Sequence, residues 1–286
     1  MSTQVPRLFA GLVDDAAVFP PGSATLPDAL AAHRRHRAAW YADLVGPLLV
    51  PATALPALTD LLEPDERIEV GVIGDVSPLT RLYDLRDGLD PRITLRQVEA
   101  AVAKRGEDPQ PGLAELTKLP GQLGEVDVYA EIPLAWGLLR ALDVVAQERA
   151  TGTRIAAKFR TGGLAAELFP TPVELAAVIC ACRDRDLPFK LTAGLHHAIR
   201  NTDPETGFIH HGFVNVLVAS AVAADGAEVA EVADLLATTD PLRLVEPARV
   251  RRDRSRPLWI GFGSCSIVEP LTDLIRLNMV NGGFEL

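Results

Sequence analysis

The sequence predicts a single parallel α/β domain spanning residues 1–286, closed as a (β/α)8 TIM barrel, and three observations lead there. Short β-rich segments alternate with Ala- and Leu-rich helical stretches, eight strand segments can be read, and no G-x-G-x-x-G turn follows an early one. Alternation is what a parallel sheet with crossover helices requires. Eight strands suit a closed barrel better than an open sheet, and the missing glycine fingerprint removes the usual dinucleotide-binding alternative.

In chain order, a strand over 11–19 precedes a helix over 25–39, and strands over 43–50 and 67–74 precede helices over 53–63 and 77–87. The strand over 92–99 has the least clear follower, because Gly106 to Gly112 breaks the helical pattern. Strands over 126–132 and 154–160 lead into helices over 135–150 and 171–186; Thr171-Pro172 followed by Glu174 marks the second start, as a side-chain cap with a proline in the first turn. After a strand over 187–193, the connection 199–256 is too long for one loop. It contains helical patterns near 213–224 and 226–237, so a helical insertion or lid is expected there. A strand over 258–264 and a helix over 269–277 complete the barrel.

Composition narrows the function. With a formal charge of -10 and an isoelectric point near 5.1, the chain lacks the basic face that a polyanion demands, so no nucleic-acid partner is expected. The one basic run, 249–256, is interrupted by Asp253 and carries no aromatic residue, which predicts a solvated loop. Cys180, Cys182 and Cys265 cannot all pair with one another, and MSTQVPRLFAG has no basic start followed by an apolar stretch. The expectation is a reduced, cytoplasmic enzyme. The apolar run 213–224 is shorter than the roughly 20 residues of a membrane span, so no membrane partner is expected either. No cofactor or metal is assigned; the expected partner is a small-molecule substrate, and a homo-oligomer is left open.

Chemistry concentrates on two lysines. Lys158 sits in an apolar strand that ends in Thr161-Gly162-Gly163, and Lys190 repeats the arrangement before Ala193-Gly194. Lysine is seldom buried, so two such strands call for a reason. Adjacent barrel strands lie about 4.8 Å apart, so inward lysines at one height are neighbours whose charges disfavour each other. A free lysine is only about 0.04% neutral at pH 7; a drop of roughly three pKa units raises that fraction nearly a thousandfold and yields an amine able to attack a carbonyl.

These residues resemble a family. Lys158-Phe159-Arg160-Thr161-Gly162, Lys190-Leu191-Thr192-Ala193-Gly194 and Phe262-Gly263-Ser264-Cys265-Ser266 follow, in order, the strand ends of the deoxyribose-phosphate aldolase branch of the Schiff-base aldolases. The resemblance covers the last half of the chain. It implies a barrel in which Lys158 forms the imine and Lys190 tunes it, with Gly194, Cys265 and Ser266 where the family holds a substrate phosphate. The chain departs from the family on the fourth strand, where Glu99 is the nearest acid in place of an aspartate, and at Arg160, where the family has a small polar residue.

Further candidates come from position. Glu131 ends the fifth strand and Asp14-Asp15 lies in the first, the places where barrels keep acids and bases; Asp15 is taken as the catalytic one. His197 is the proton-transfer candidate and His196 its substrate-binding neighbour. Arg160, Thr161, Gly162, Gly163, Gly263 and Ser264 complete an anion-binding rim built on open backbone N–H groups. The expected function is a Schiff-base lyase, aldolase-like, or an isomerase acting on a small carbonyl compound with a phosphate or carboxylate. Two alternatives stand beside it. One is a metal-dependent lyase or hydrolase using one histidine from each of His196-His197 and His210-His211 with Glu131 or Asp15; the other is a non-catalytic barrel that binds small anions.

Overall fold

A computed structural model of the chain describes residues 5–76 and 89–282. Its strands are β1 (Val13–Asp15), β2 (Val45–Pro51), β3 (Ile68–Asp75), β4 (Ile93–Ala101), β5 (Asp127–Glu131), β6 (Ile155–Arg160), β7 (Phe189–Thr192) and β10 (Trp259–Ser264), with a short antiparallel hairpin of β8 (Asn201–Thr202) and β9 (Ile209–His210) between the last two. The eight long-range strands close in the order β1-β10-β7-β6-β5-β4-β3-β2, every pairing parallel. This is the (β/α)8 barrel that the alternating pattern predicts. The helix expected over 77–87 lies outside the described residues.

The outer layer includes α1 (Leu26–Ala38), α2 (Leu55–Leu61), α3 (Gln110–Leu116), α4 (Pro120–Leu123), α5 (Leu138–Ala150), α6 (Pro172–Arg183), α7 (Phe213–Ala224), α8 (Val229–Ala237), α9 (Leu242–Val250) and α10 (Val268–Arg276). Each strand buries one face against these helices and the other in the lumen, so strands read as near-continuous apolar runs rather than strict alternation. In β6, Phe159 is fully buried and packs on Phe189 of β7, with ring centroids 6.1 Å apart; the even positions Lys158 and Arg160 take the opposite face.

Within 199–256, α7 is buried on nearly all sides because α8 and α9 both pack against it and α8 also packs on α6. That double cover accounts for its unbroken apolar sequence. The basic run meets a different fate from the one expected. Only part of it is solvated, because the Arg256 guanidinium turns inward to donate to Leu8 O at 2.7 Å, Ala10 O at 2.9 Å and Ile260 O at 2.6 Å. Burial pulls this arginine down to about 10, and its contacts tie the N-terminal segment to the start of β10.

The start of α6 carries the capping box that Thr171 and Glu174 predict: Glu174 N donates to Thr171 Oγ1 at 3.2 Å and Thr171 N donates to Glu174 Oε2 at 2.7 Å. Thr171→Ala is expected to cost about 1 kcal/mol, read as a lower urea midpoint with an unchanged slope, and Thr171→Ser to retain most of it.

Candidate active site

The barrel register pairs Lys158 of β6 directly with Lys190 of β7 and pairs Glu131 of β5 with Lys158. Both amines enter the lumen. Lys190 contacts Asp14 on β1 and Glu99 on β4, neither of which neighbours β7 in the sheet, so those contacts cross the interior. Lys158 Nζ lies 2.6 Å from Glu99 Oε2 and 2.8 Å from Glu131 Oε2. The result is an alternating chain of charge, Glu131, Lys158, Glu99, Lys190, Asp14, in which Glu99 is shared. Lys158, Lys190 and Glu99 are each exposed by 2% or less.

Gln97, two residues before Glu99 and on the same face of β4, orients both inner acids. Its Nε2 donates to Asp14 Oδ2 at 2.7 Å and to Glu99 Oε1 at 2.9 Å. The ring of Tyr129 covers Lys190 Nζ at 4.9 Å, a cation–π contact in a dry setting. Gly46 on β2 leaves the space that Asp14 fills, since a Cβ there would overlap Asp14 Oδ1.

These contacts reverse the electrostatics expected from the sequence. Two bare ammonium groups side by side would depress each other, but Glu99 lies between them. Burial disfavours the charge on Lys158, yet Glu99 and Glu131 outweigh it and raise its pKa above the ordinary lysine value; Asp14 and Glu99 do the same for Lys190. Glu99 is likewise penalised by burial, and the two ammonium groups override that and hold it down to about 2. Burial also opposes the charge on Glu131, with Lys158 and then Arg160 prevailing to lower it. Asp14 moves the other way: burial raises it, and Lys190 offsets only part of the rise.

The remaining candidates divide into those near this core and those held elsewhere. Arg160 reaches Glu131 Oε1 through Nη2 at 3.1 Å and Nε at 3.2 Å, which extends the charge chain to the mouth. Asp15 is not in the cluster. Successive strand residues face opposite ways, and its Oδ2 meets His33 Nδ1 of α1 at 3.0 Å while Asp14 takes the lumen. His197 Nδ1 pairs with Asp273 Oδ2 at 3.2 Å and His196 Nδ1 with Glu269 Oε2 at 2.9 Å, so both are directed to α10 rather than to the lysines. His210 Nδ1 bonds Gly194 O at 3.1 Å and His211 Nε2 bonds Pro170 O at 2.7 Å; burial draws His211 down to about 4. Among the described residues, no group of three or more His, Cys, Asp and Glu gathers in a metal-holding arrangement.

The glycine-rich rim is tightly interlocked. Thr161 Oγ1 donates to Ala193 O at 2.6 Å, and a Cβ on Gly162 would come within 2.9 Å of Gly194 Cα, where φ is +78°. Gly163 stands against Leu168, and Gly263 pairs in register with Thr192. Ser264 Oγ donates to Ser266 O at 2.8 Å and accepts from Ser266 N at 3.2 Å, while Ser266 Oγ accepts from Glu269 N at 3.2 Å. Cys265 packs under Gly22, and burial raises its thiol. The Ser266 N–H is thus already committed, which leaves fewer donors open than the motif suggests.

Fold and site together define a (β/α)8 barrel with a buried lysine–carboxylate core, an architecture that commonly serves enzymes. No family model matches the chain, and no curated protein matches it. Among the described residues no helix is long and apolar enough to cross a membrane.

Proposed function

We propose that the protein is a Schiff-base lyase or isomerase acting on a small carbonyl compound, with Lys158 as the amine that forms the imine. The observation that carries this is the pair of lumenal lysines at one register position, joined to three acids in the interior of a barrel. Ion pairs of that depth cost desolvation and are a poor way to gain stability over apolar packing, so their presence points to chemistry.

The raised lysine values set the proton route. Lys158 becomes nucleophilic by handing a proton to Glu131, the one of its two carboxylate partners that lines the mouth, when the carbonyl arrives, an exchange that keeps the total charge of the core unchanged. The amine then adds to the carbonyl carbon, and the oxygen leaves as water after taking up protons. Lys190 holds the far side of Glu99, and Asp14, the acid of the core whose pKa is raised, receives and returns the proton that the carbon skeleton exchanges in the later step. Glu131, lowered yet nearest the mouth, is the group best placed to meet that water.

Borohydride added with a carbonyl substrate is expected to leave a reduced adduct on Lys158, found by peptide mass mapping, and Lys158→Ala is expected to abolish it. An adduct on Lys190 instead would exchange the two roles. Absence of any adduct on either lysine, with a panel of small aldehydes and ketones, would falsify the imine assignment and favour a structural charge network.

A further inference from the structure

A cleft of about 300 Å³ opens at the C-terminal ends of β4, β5 and β6, with Glu131 and Arg160 in its floor, Ile132, Leu134 and Leu168 along its wall and Lys104 at its rim. It is joined to Lys158 through Glu131, which lines the cleft with one carboxylate oxygen on Arg160 and the other on Lys158. Arg160 follows Lys158 by two residues on one strand. Its side chain therefore emerges on the same face, about 7 Å nearer the mouth.

The guanidinium is only partly spent. Its hydrogen bond from Nε and its ion-pair contact from Nη2 go to a single oxygen, Glu131 Oε1, and among the described residues Nη1 has no hydrogen-bond partner. Its side chain remains 47% exposed. Glu131 cannot neutralise it fully, because the same carboxylate also serves Lys158. Lys104, exposed at the rim, has no ion-pair partner for its ammonium among the described residues. The cleft, whose lining also holds Arg105, Glu167 and Glu174, thus offers a planar donor fork, two further cations and an apolar wall, with the Glu131 carboxylate between it and the amine.

We infer that the carbonyl compound carried by Lys158 bears a carboxylate, and that Arg160 selects it by binding that carboxylate while Ile132, Leu134 and Leu168 cover the chain between the two groups. This rests on Lys158 as the imine-forming residue and adds the substrate class to it. A guanidinium suits the role because it meets a carboxylate with two parallel bonds, which a lysine cannot reproduce. The site differs in place from the Ser264–Ser266 rim, where donors are already used internally.

The test compares matched probes under limiting borohydride: pyruvate against acetone, and succinic semialdehyde against butanal. In the unmodified protein the anionic member of each pair should label Lys158 at a concentration on the order of ten- to a hundredfold lower than its neutral partner, the factor a charge-assisted hydrogen bond supplies. Arg160→Gln should remove that preference, read as the ratio of anionic to neutral labelling within the variant itself because Arg160 also contacts the Glu131 that serves Lys158, and Arg160→Lys should restore it only in part. Equal labelling by charged and neutral probes, or a preference that survives in Arg160→Gln, overturns the inference. Should no probe label any lysine, the imine reading fails by itself. Calorimetric titration with pyruvate then decides the carboxylate site separately: saturable binding lost in Arg160→Gln supports it, and no binding refutes it.

Discussion

Glu99→Gln is expected to destabilise the protein by about 3 kcal/mol and to shift the chemistry of both lysines, because it removes the one charge that two buried ammonium groups share. Glutamine keeps the shape, so the loss reports charge rather than packing. Lys158 keeps Glu131 and Lys190 keeps Asp14, which is why the effect stays below complete unfolding. Urea denaturation should show a lower midpoint with unchanged slope. With Glu99 neutral the ammonium groups repel directly and their pKa values fall, so labelling of Lys158 should move to lower pH. A Glu99 with only a packing role would leave that pH profile where it is.

The same group governs the response to acid. Glu99 is held at about 2, below its ordinary value of 4.5, so its contribution is present above that ordinary value and is lost as pH falls toward about 2. The lysines, raised above 10.5, contribute stability that is complete below that value and is lost as pH climbs through their folded-state values. Asp14, raised by burial, works against this at neutral pH, since its charged form is the one disfavoured. Thermal denaturation followed from acid to alkaline buffer should therefore show a broad plateau that falls off at low pH, with the acid limb markedly flatter in Glu99→Gln.

Gly46→Ala is expected to be the most damaging single methyl group near the site. The added Cβ would overlap Asp14 Oδ1, and that oxygen has little room to retreat because its partner Oδ2 is held by Lys190 and by Gln97. Overpacking of this kind costs about 3 kcal/mol. The penalty should shrink in an Asp14→Ala background, where the colliding atom is gone, and a double-mutant cycle on urea midpoints measures the difference. A penalty unchanged by Asp14→Ala would place the clash elsewhere, for instance in the β1–β2 backbone.

Much of this architecture is legible in the sequence for a plain reason. Each barrel strand is buried on both faces, so runs such as 154–160 stand out from the Ala- and Leu-rich helices that follow, and the two lysines stand out within those runs. Their shared register also follows from spacing, since both lie at similar distances from glycine-rich strand ends. What the sequence does not display is who faces them across the lumen. Asp14, Gln97 and Glu99 come from β1 and β4, distant in sequence from either lysine, and only barrel closure brings them together. A signal existed in β4, where Gln97 and Glu99 occupy alternate positions in an apolar strand and hence one face. Reading that face as lumenal would have placed an acid between the lysines and reversed the expected direction of their pKa values. Parity alone puts Asp14 rather than Asp15 in the lysine cluster, because β1 is three residues long and its neighbouring strands, not its own pattern, decide which aspartate points inward. The direction of the histidines is hidden for a similar reason: His196 and His197 lie on the loop after β7, where strand alternation no longer fixes direction, and α10 supplies an acid to each.

The arrangement stands on Glu99 dividing two charged amines, and NMR of lysine side chains labelled at Cε and Nζ observes those amines directly. Titrated from about pH 6 to about pH 11, the resonances assigned by Lys158→Met and Lys190→Met should both remain those of ammonium groups past the ordinary lysine range. A resonance from either residue that titrates near neutral pH would contradict the account and mean that the two amines face each other without a carboxylate between them.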